Sequence, residues 1–389
     1  MKLAFITQDF PPDIGGIQTY SFEIASRIHD KFDDFILIAP DKNNAPRIDA
    51  RLPFEIHRVP TRNSLLGLRG IPSVLPLLKK REIDHCFHAQ WQTLGIAYAA
   101  KKAGIVRWSG VAAHAREFFF NPFEGMGPAE KLYEQYKRKM LRQADFFFPV
   151  SSYTSEILTD YGVPIDSIEV VINGTNPDLF YPISANSIRQ KYGFGKQRKI
   201  LATITRLIER KAVDTVLRAV ALLKDEMPDL HYIIVGEGPY GARLKKLAAE
   251  LEVKQRVTFT GRVPYDKVNE YYNLCDLYVM PSKKMLPEIE AFGIAYLEAN
   301  ACQKPVIGSR TGGVSDAVID GETGLLVEER NPEELATAIK RILTDEELRK
   351  RLGEQGRKRV ENEANWQAVS DKLFSLIQTH GRSFRSNNY

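Results

Sequence analysis

Two short stretches carry residue types and spacings that could do chemistry together. In "TRLIERKAVD", residues 205–214, Arg206 and Lys211 lie in a loop between an apolar run and a helical pattern. A guanidinium fork and a point charge beside a helix N-terminus suit a diphosphate, although a basic loop of this kind is common without a ligand. In "PEIEAFGIAYLEAN", residues 287–300, Glu290 precedes Gly293 in a loop and Glu298 lies on the helix that Gly293 opens. Both acids can face one ligand, and carboxylates accept hydrogen bonds from vicinal hydroxyls such as those of ribose or a hexose. Two weaker features stand in the first half. Pro11, Pro12, Gly15 and Gly16 punctuate "DFPPDIGGIQTY" between a strand and a helix; the glycines permit φ values or close approaches that a Cβ forbids, and the following helix could hold an anion at its first turn or merely close a tight turn. His114, in "AAHAREF", follows an apolar run, and a single histidine in that place is more often structural than functional.

These residues need elements to hold them just after strands. Apolar runs recur in the first half at 3–7, 35–39, 54–59, 83–88, 110–113, 146–150 and 168–172, with helical patterns around 17–29, 92–103, 129–142 and 152–160. The segment "NGTNPDLFYP" at 173–182 breaks the rhythm. It restarts with strands at 200–205, 232–235, 257–260, 277–280, 305–308 and 324–327, and helices at 213–224, 240–252, 265–274, 293–302 and 332–345. Alternation of this kind predicts two α/β domains with parallel sheets, each with its ligand crevice at the carboxyl ends of its strands. The reading is 1–176 as an N-terminal Rossmann-like domain and 177–364 as a C-terminal one. Residues 365–389 are read as a helix packing back on the first domain, with a frayed tail from Gly381. "VGEGPY" ends the strand at 232–235, where Gly236 and Gly238 allow either a ligand or a plain turn.

At 389 residues, with 43% hydrophobic and 26% charged residues, the chain has the make-up of a soluble two-domain protein. Three dispersed cysteines suggest neither a disulfide framework nor a zinc ribbon and fit a reducing cytoplasm. The start does not read as a signal peptide, and no apolar run approaches the ~18 residues of a membrane span. The net charge of +5 is uneven: residues 51–142 hold 16 Lys/Arg against 7 Asp/Glu. Leucines beside Lys79, Lys80 and Arg81 in 64–84, and Lys137, Arg138, Lys139 and Arg142 in "KLYEQYKRKMLR", suit either a solvated basic face or the surface of an anionic membrane. His85, Cys86 and His88 would alternate faces on a strand, so they are read as structural or acceptor-facing rather than as metal ligands.

The ordered set of Arg206 and Lys211, Glu290 and Glu298 around "FGI", the "NG" after the first domain and the early "GG" resembles the family 4 retaining glycosyltransferases of the GT-B fold. It most resembles the phosphatidylinositol mannosyltransferase-like branch. The resemblance spans nearly the whole chain and implies two Rossmann-like domains facing across a deep cleft, 1–176 on the acceptor side and 177–364 binding the nucleotide sugar. It implies a nucleotide-diphosphate sugar whose diphosphate is held by Arg206 and Lys211, ribose by Glu298 and hexose hydroxyls by Glu290. Backbone at Arg262 and Val263 would meet the base. Phe292, Gly293 and Ile294 would line sugar and phosphate, Gly15 and Gly16 would close from the first domain, and His114 would reach the donor sugar near its anomeric carbon. The chain departs from the family pattern at Ala115 and Ala291, where glycines are usual. No Asp-x-Asp occurs, and the resemblance implies no cofactor or metal.

The implied activity is retaining transfer of a hexose, mannose from GDP-mannose being favoured over a UDP-hexose, to a lipid, lipid-linked or glycan hydroxyl. The expected location is the cytoplasm or the inner face of the cytoplasmic membrane. A sugar-nucleotide epimerase shares the fold. An NAD-dependent dehydrogenase should show G-x-G-x-x-G in the first strand-to-helix turn, which is absent. A nucleic-acid binder should show a recognised module, and none appears.

Overall fold

The computed structural model describes residues 1–386. Its contacts divide the chain into two units, Met1–Asn173 with the helix Trp366–Ser386, and Gly174–Asn365.

The first unit is built on a six-stranded sheet of β1 (Lys2–Ile6), β2 (Asp34–Pro40), β3 (Ile56–Val59), β4 (His85–His88), β5 (Trp108–Ala113) and β6 (Phe146–Pro149), in the order 3-2-1-4-5-6. Every pairing is parallel. β4, β5 and β6 are buried along their whole length because helices cover both faces, which is why they read as continuous apolar runs rather than alternating ones. The second unit repeats the plan with β7 (Lys199–Ile204), β8 (Leu230–Val235), β9 (Val257–Gly261), β10 (Leu277–Val279), β11 (Val306–Ser309) and β12 (Gly324–Val327), ordered 12-11-10-7-8-9 and again wholly parallel. Counted from its own first strand this is the same 3-2-1-4-5-6 order, so each unit has a topological switch point where crevices form: β1 against β4, and β7 against β10.

Several elements differ from the sequence expectation. The run 168–172 is not a strand: Glu169 and Val171 donate to Phe147 O and Pro149 O, but Pro149 has no N–H to return the ladder bond. The 92–103 pattern divides into a 3₁₀ turn, Trp91–Thr93, and the helix Leu94–Lys102; the 265–274 pattern divides likewise at Lys267. The helix Glu346–Asn362 escaped sequence reading because it buries only Leu348, Leu352 and Val360 among its large apolar residues. The tail expected to fray from Gly381 is helical through Ser386, and the rest of that expectation falls on 387–389, outside the described residues. This last helix packs on the first unit, Phe374 against Phe32 and Trp366 against Tyr20. Among the described residues no helix is long and apolar enough to cross a membrane.

Candidate active site

β7 and β10 are neighbours at the switch point of the second unit, and the loops leaving their carboxyl ends bring Lys211 and Glu290 into contact. A 3₁₀ turn, Glu209–Lys211, ends on Ala212 in the left-handed region (φ 52°, ψ 34°), which starts the helix Val213–Leu222 directly after Lys211. Glu290 Oε2 receives the Lys211 ammonium, Arg210 Nη1 at 2.7 Å and Ser282 Oγ at 3.4 Å. Arg210 also reaches Glu288, with Nε 3.5 Å from Oε2. Burial alone would push the Glu290 carboxyl up, but the Lys211 and Arg210 charges outweigh it and hold it down at about 2. Burial draws the Lys211 ammonium below its ordinary value, against the pull of Glu290. The arrangement is an ionised, largely dry cluster with two cations on one carboxylate.

Gly293 sits at φ 97°, and a Cβ there would stand 2.5 Å from the Tyr296 ring, so the turn that opens the helix Ile294–Ala301 requires glycine. Glu298 on that helix accepts from the Tyr272 hydroxyl at 2.6 Å, and burial pushes its carboxyl up to about 7. Phe292 is buried, so its backbone rather than its ring is what a ligand can meet, whereas Ile294 is half-buried. Arg206 lies exposed at the start of the same loop as Lys211 and makes no ion pair among the described residues. Arg262 and Val263 follow β9 and line a hollow of about 400 Å³ with Tyr192, Lys267 and Tyr271. Gly236 and Gly238 make room for the chain itself: a Cβ would stand 1.9 Å from Thr205 O at the first and 2.3 Å from Leu207 O at the second. Sequence reading missed Arg210, Ser282 and Tyr272; only Arg210 left a signal, as the neighbour of Lys211 in "ERK".

In the first unit His114 follows β5, with its ring edge-on to Tyr20 at 4.8 Å. Its Nε2 lies 3.0 Å from Ala89 O, and since a carbonyl only accepts, Nε2 carries the proton. Burial lowers the imidazole to about 4, so the ring is neutral near pH 7, with Nδ1 as an acceptor. Ala115 takes φ 68° and ψ −59°, and Arg116 N donates to His114 O at 2.9 Å, which closes a strained γ-turn directly after the histidine. Glu117 reaches back so that Oε1 accepts from His114 N at 2.6 Å; burial pushes this carboxyl up to about 7, and Oε2 has no partner among the described residues. Gly15 and Gly16 do not serve the conformational role expected of them. Gly15 is extended (φ 170°) and neither lies in the left-handed region; a Cβ on Gly15 would crowd the end of the Gln18 side chain, which can move, and one on Gly16 would meet nothing within 4 Å at the start of the helix Gly16–Ile28.

Lys137 is neither the solvated nor the membrane-facing cation that the sequence offers. Its side chain is 0% exposed, donating to Phe118 O at 2.7 Å, Glu134 at 2.9 Å and Tyr161 OH at 3.2 Å beneath the rings of Trp91, Tyr133 and Tyr161. The four-residue helix Arg116–Phe119 cannot satisfy its own last carbonyls, and Lys137 does so. His85 and His88 are likewise buried, with Nδ1 against Asp84 at 2.7 Å and Thr93 at 2.7 Å respectively. Among the described residues no three His, Cys, Asp or Glu side chains stand where they could share a metal ion.

Two repeated Rossmann-like units with a charged cluster at a switch point define the class. HepE of Anabaena bound to UDP superposes with a TM-score of 0.80 at 19% identity over 97% of this chain and all of the other. Sucrose-phosphate synthase of Thermosynechococcus elongatus does so at 0.76 and 22% over 98% and 99%. The fold is therefore the two-domain GT-B fold. Residues 14–179 match the model described as Glycosyltransferase Family 4, and residues 184–359 the model described as Glycosyl transferases group 1. The chain belongs to these glycosyltransferases. It is 28% identical over 390 residues to the GDP-mannose-dependent monoacylated alpha-(1-6)-phosphatidylinositol monomannoside mannosyltransferase of Corynebacterium glutamicum, covering 98% of this chain and 99% of that one. With the GDP-mannose-dependent alpha-(1-6)-phosphatidylinositol monomannoside mannosyltransferase of Mycobacterium tuberculosis it shares 29% over 386 residues, 97% and 98% of the two.

Proposed function

We propose that this glycosyltransferase moves mannose from GDP-mannose, with retention of configuration, to a hydroxyl of a lipid or lipid-linked acceptor of the phosphatidylinositol mannoside type. The observation that carries the donor site is the contact of Lys211 and Arg210 with Glu290 where the loops after β7 and β10 meet. The mannosyl donor and lipid acceptor rest on the full-length likeness to the two mannosyltransferases.

In this reading Arg206 and Lys211 bind the diphosphate and stabilise it as it leaves, and no divalent ion is needed for that charge. Glu298 takes the ribose hydroxyls, Glu290 those of the hexose, and the backbone of Arg262 and Val263 the base. The backbone from Phe292 to Ile294 lies along sugar and phosphate, and Gly15, Gly16 and His114 are the contribution of the first unit. A front-face substitution follows, in which the leaving diphosphate takes the acceptor proton. Glu290 is ionised near pH 7, and the Nε2–H of the neutral His114 ring is already given to Ala89 O, so neither of these two serves as the acid for the leaving diphosphate, which favours proton transfer from the acceptor hydroxyl itself.

A thermal-shift panel of GDP-mannose, UDP-hexoses and NAD, followed by mass spectrometry and anomeric NMR of the product, tests the proposal. Stabilisation by GDP-mannose and an α-linked product that forms in the presence of EDTA are expected. Stabilisation by UDP-sugars alone replaces the donor, acceptor-free turnover points to an epimerase, and a β-linked product overturns retention.

A further inference from the structure

We infer that the loop 120–127 and the outward face of the helix Pro128–Leu141 form the surface that seats this protein on an anionic lipid bilayer. Four large apolar side chains stand in solvent within residues 120–132: Phe120 (47% exposed), Phe123 (40%), Met126 (63%) and Leu132 (67%). Apolar residues scattered singly on a surface need no explanation, but a cluster of this size marks a place of contact. The cluster is presented rather than loose. Asn121 Oδ1 accepts from Phe123 N at 2.9 Å, Phe123 O from Met126 N at 2.9 Å, and Glu130 from Gly125 N at 3.0 Å, while Gly125 and Gly127 turn the chain at positive φ.

The helix that follows continues the surface. Its exposed positions, Lys131, Leu132, Gln135, Arg138 and Lys139, with Arg142 as its cap, recur at i, i+3 and i+4 and so form one stripe. The stripe holds four cations and no acid. Glu130 and Glu134 are half-buried and engaged, Glu130 with Gly125 N and Glu134 with Asn121 Nδ2 at 3.0 Å and Lys137 at 2.9 Å. Lys131, Lys139 and Arg142 make no ion pair among the described residues, and Arg138 lies over the Tyr161 ring at 4.8 Å. Glu124 stands exposed at the loop tip beside the aromatics.

Aromatic and thioether side chains ahead of an acid-free basic stripe match the two requirements of peripheral attachment, apolar burial at the headgroup boundary and attraction to anionic lipid. The segment 64–84, which the sequence offers for the same purpose, is committed elsewhere in part: Leu66 and Leu78 are fully buried and Arg81 is bound to Asp34 and Glu55, while Leu68 (55% exposed), Lys79 and Lys80 stand in solvent. The inference deepens the lipid-acceptor reading and rests on it for its purpose, although its test does not depend on the donor.

The full chain would be sedimented with vesicles of phosphatidylglycerol and phosphatidylcholine, and with phosphatidylcholine alone. Salt-sensitive binding to the first and little to the second is expected. Each basic residue near an anionic surface is worth about fivefold in partition, so Lys131→Glu with Arg142→Glu should cost at least ~25-fold. Phe123→Ser with Met126→Ser should cost about tenfold. Lys79→Glu with Lys80→Glu serves as the comparison and should matter less. All three pairs should keep the donor-induced thermal shift of the parent, which separates loss of membrane binding from loss of fold or of the proposed activity. No binding by the parent, equal binding to both vesicles, an effect confined to the Lys79 and Lys80 pair, or a dimer that buries the aromatic loop would each overturn the inference.

Discussion

Arg210 offers a way to perturb the candidate site without removing a group assigned to the donor. Its Nη1 stands 2.7 Å from Glu290 Oε2, and with Lys211 it keeps Glu290 ionised in a nearly dry setting. The Glu290 carboxyl is at about 2 in the folded chain and ordinarily at 4.5. A depressed carboxyl contributes stability that is present above its unfolded pKa and lost as pH falls through the folded one. Here the window runs from about 4.5 down to about 2. A difference of about 2.5 units corresponds to about 3 kcal/mol, shared between the two cations and the hydrogen bonds they make. Arg210→Gln removes one charge-assisted bond of about 2 kcal/mol and lets the Glu290 pKa rise, leaving the carboxylate still charged at pH 7 but less firmly oriented. The variant should be less stable by about 2 kcal/mol in urea titrations at pH 7, with the deficit shrinking as pH falls below 4.5. With donor and acceptor it should show kcat lowered about tenfold and the donor KM changed less. Arg210→Lys should restore part of both. If Arg210→Gln leaves stability and kcat within twofold of the parent at pH 7, Arg210 does not hold Glu290 in place and the reasoning fails.

The remaining predictions bear on the site groups themselves. Lys211→Ala or Glu290→Ala should lower transfer by about 10²–10³-fold with circular dichroism unchanged, in keeping with the loss of one preorganised charge partner; near-parent turnover in either would dismiss the assignment. Ala115→Gly should raise the unfolding free energy by about 1 kcal/mol, because glycine occupies φ 68° without the strain alanine carries there, and a lower midpoint in a urea titration would contradict it. The Glu298 carboxyl, pushed up to about 7 by burial, is increasingly protonated below that pH, so donor affinity by calorimetry should weaken as pH falls from 8 to 6. Glu298→Gln should bind more weakly at pH 8 and lose that dependence, and an unaltered profile in the variant would place the titration elsewhere.

Much of this protein was legible in one dimension because the signals are local. Parallel strands buried on both faces must be apolar throughout, so the runs at 35–39 and 146–150 marked β2 and β6, and the break at 173–182 contains the boundary between units at Asn173 and Gly174. Gly293 could be read as the opener of its helix because a left-handed turn against Tyr296 admits no other residue. Elements with weak local signals were misread: Glu346–Asn362 is charged nearly all round, and 168–172 has the composition of a strand but faces a proline.

The partners of each charge were decided only in three dimensions, because ionisation and orientation depend on burial and on groups distant along the chain. Nothing in "ERK" distinguishes Arg210, bound to Glu290 eighty residues on, from Arg206, left in solvent. Lys137 and Arg138 are adjacent in sequence, yet a helix turns one into an aromatic cage and the other onto the outer stripe. Gly15 and Gly16 look like conformational necessities and are extended or unhindered, while Ala115 looks ordinary and carries the strain. Residue type and spacing thus determined the fold and the list of chemical groups. Packing determined which of them are charged, which are held and which stand free, since those properties arise from desolvation and contact.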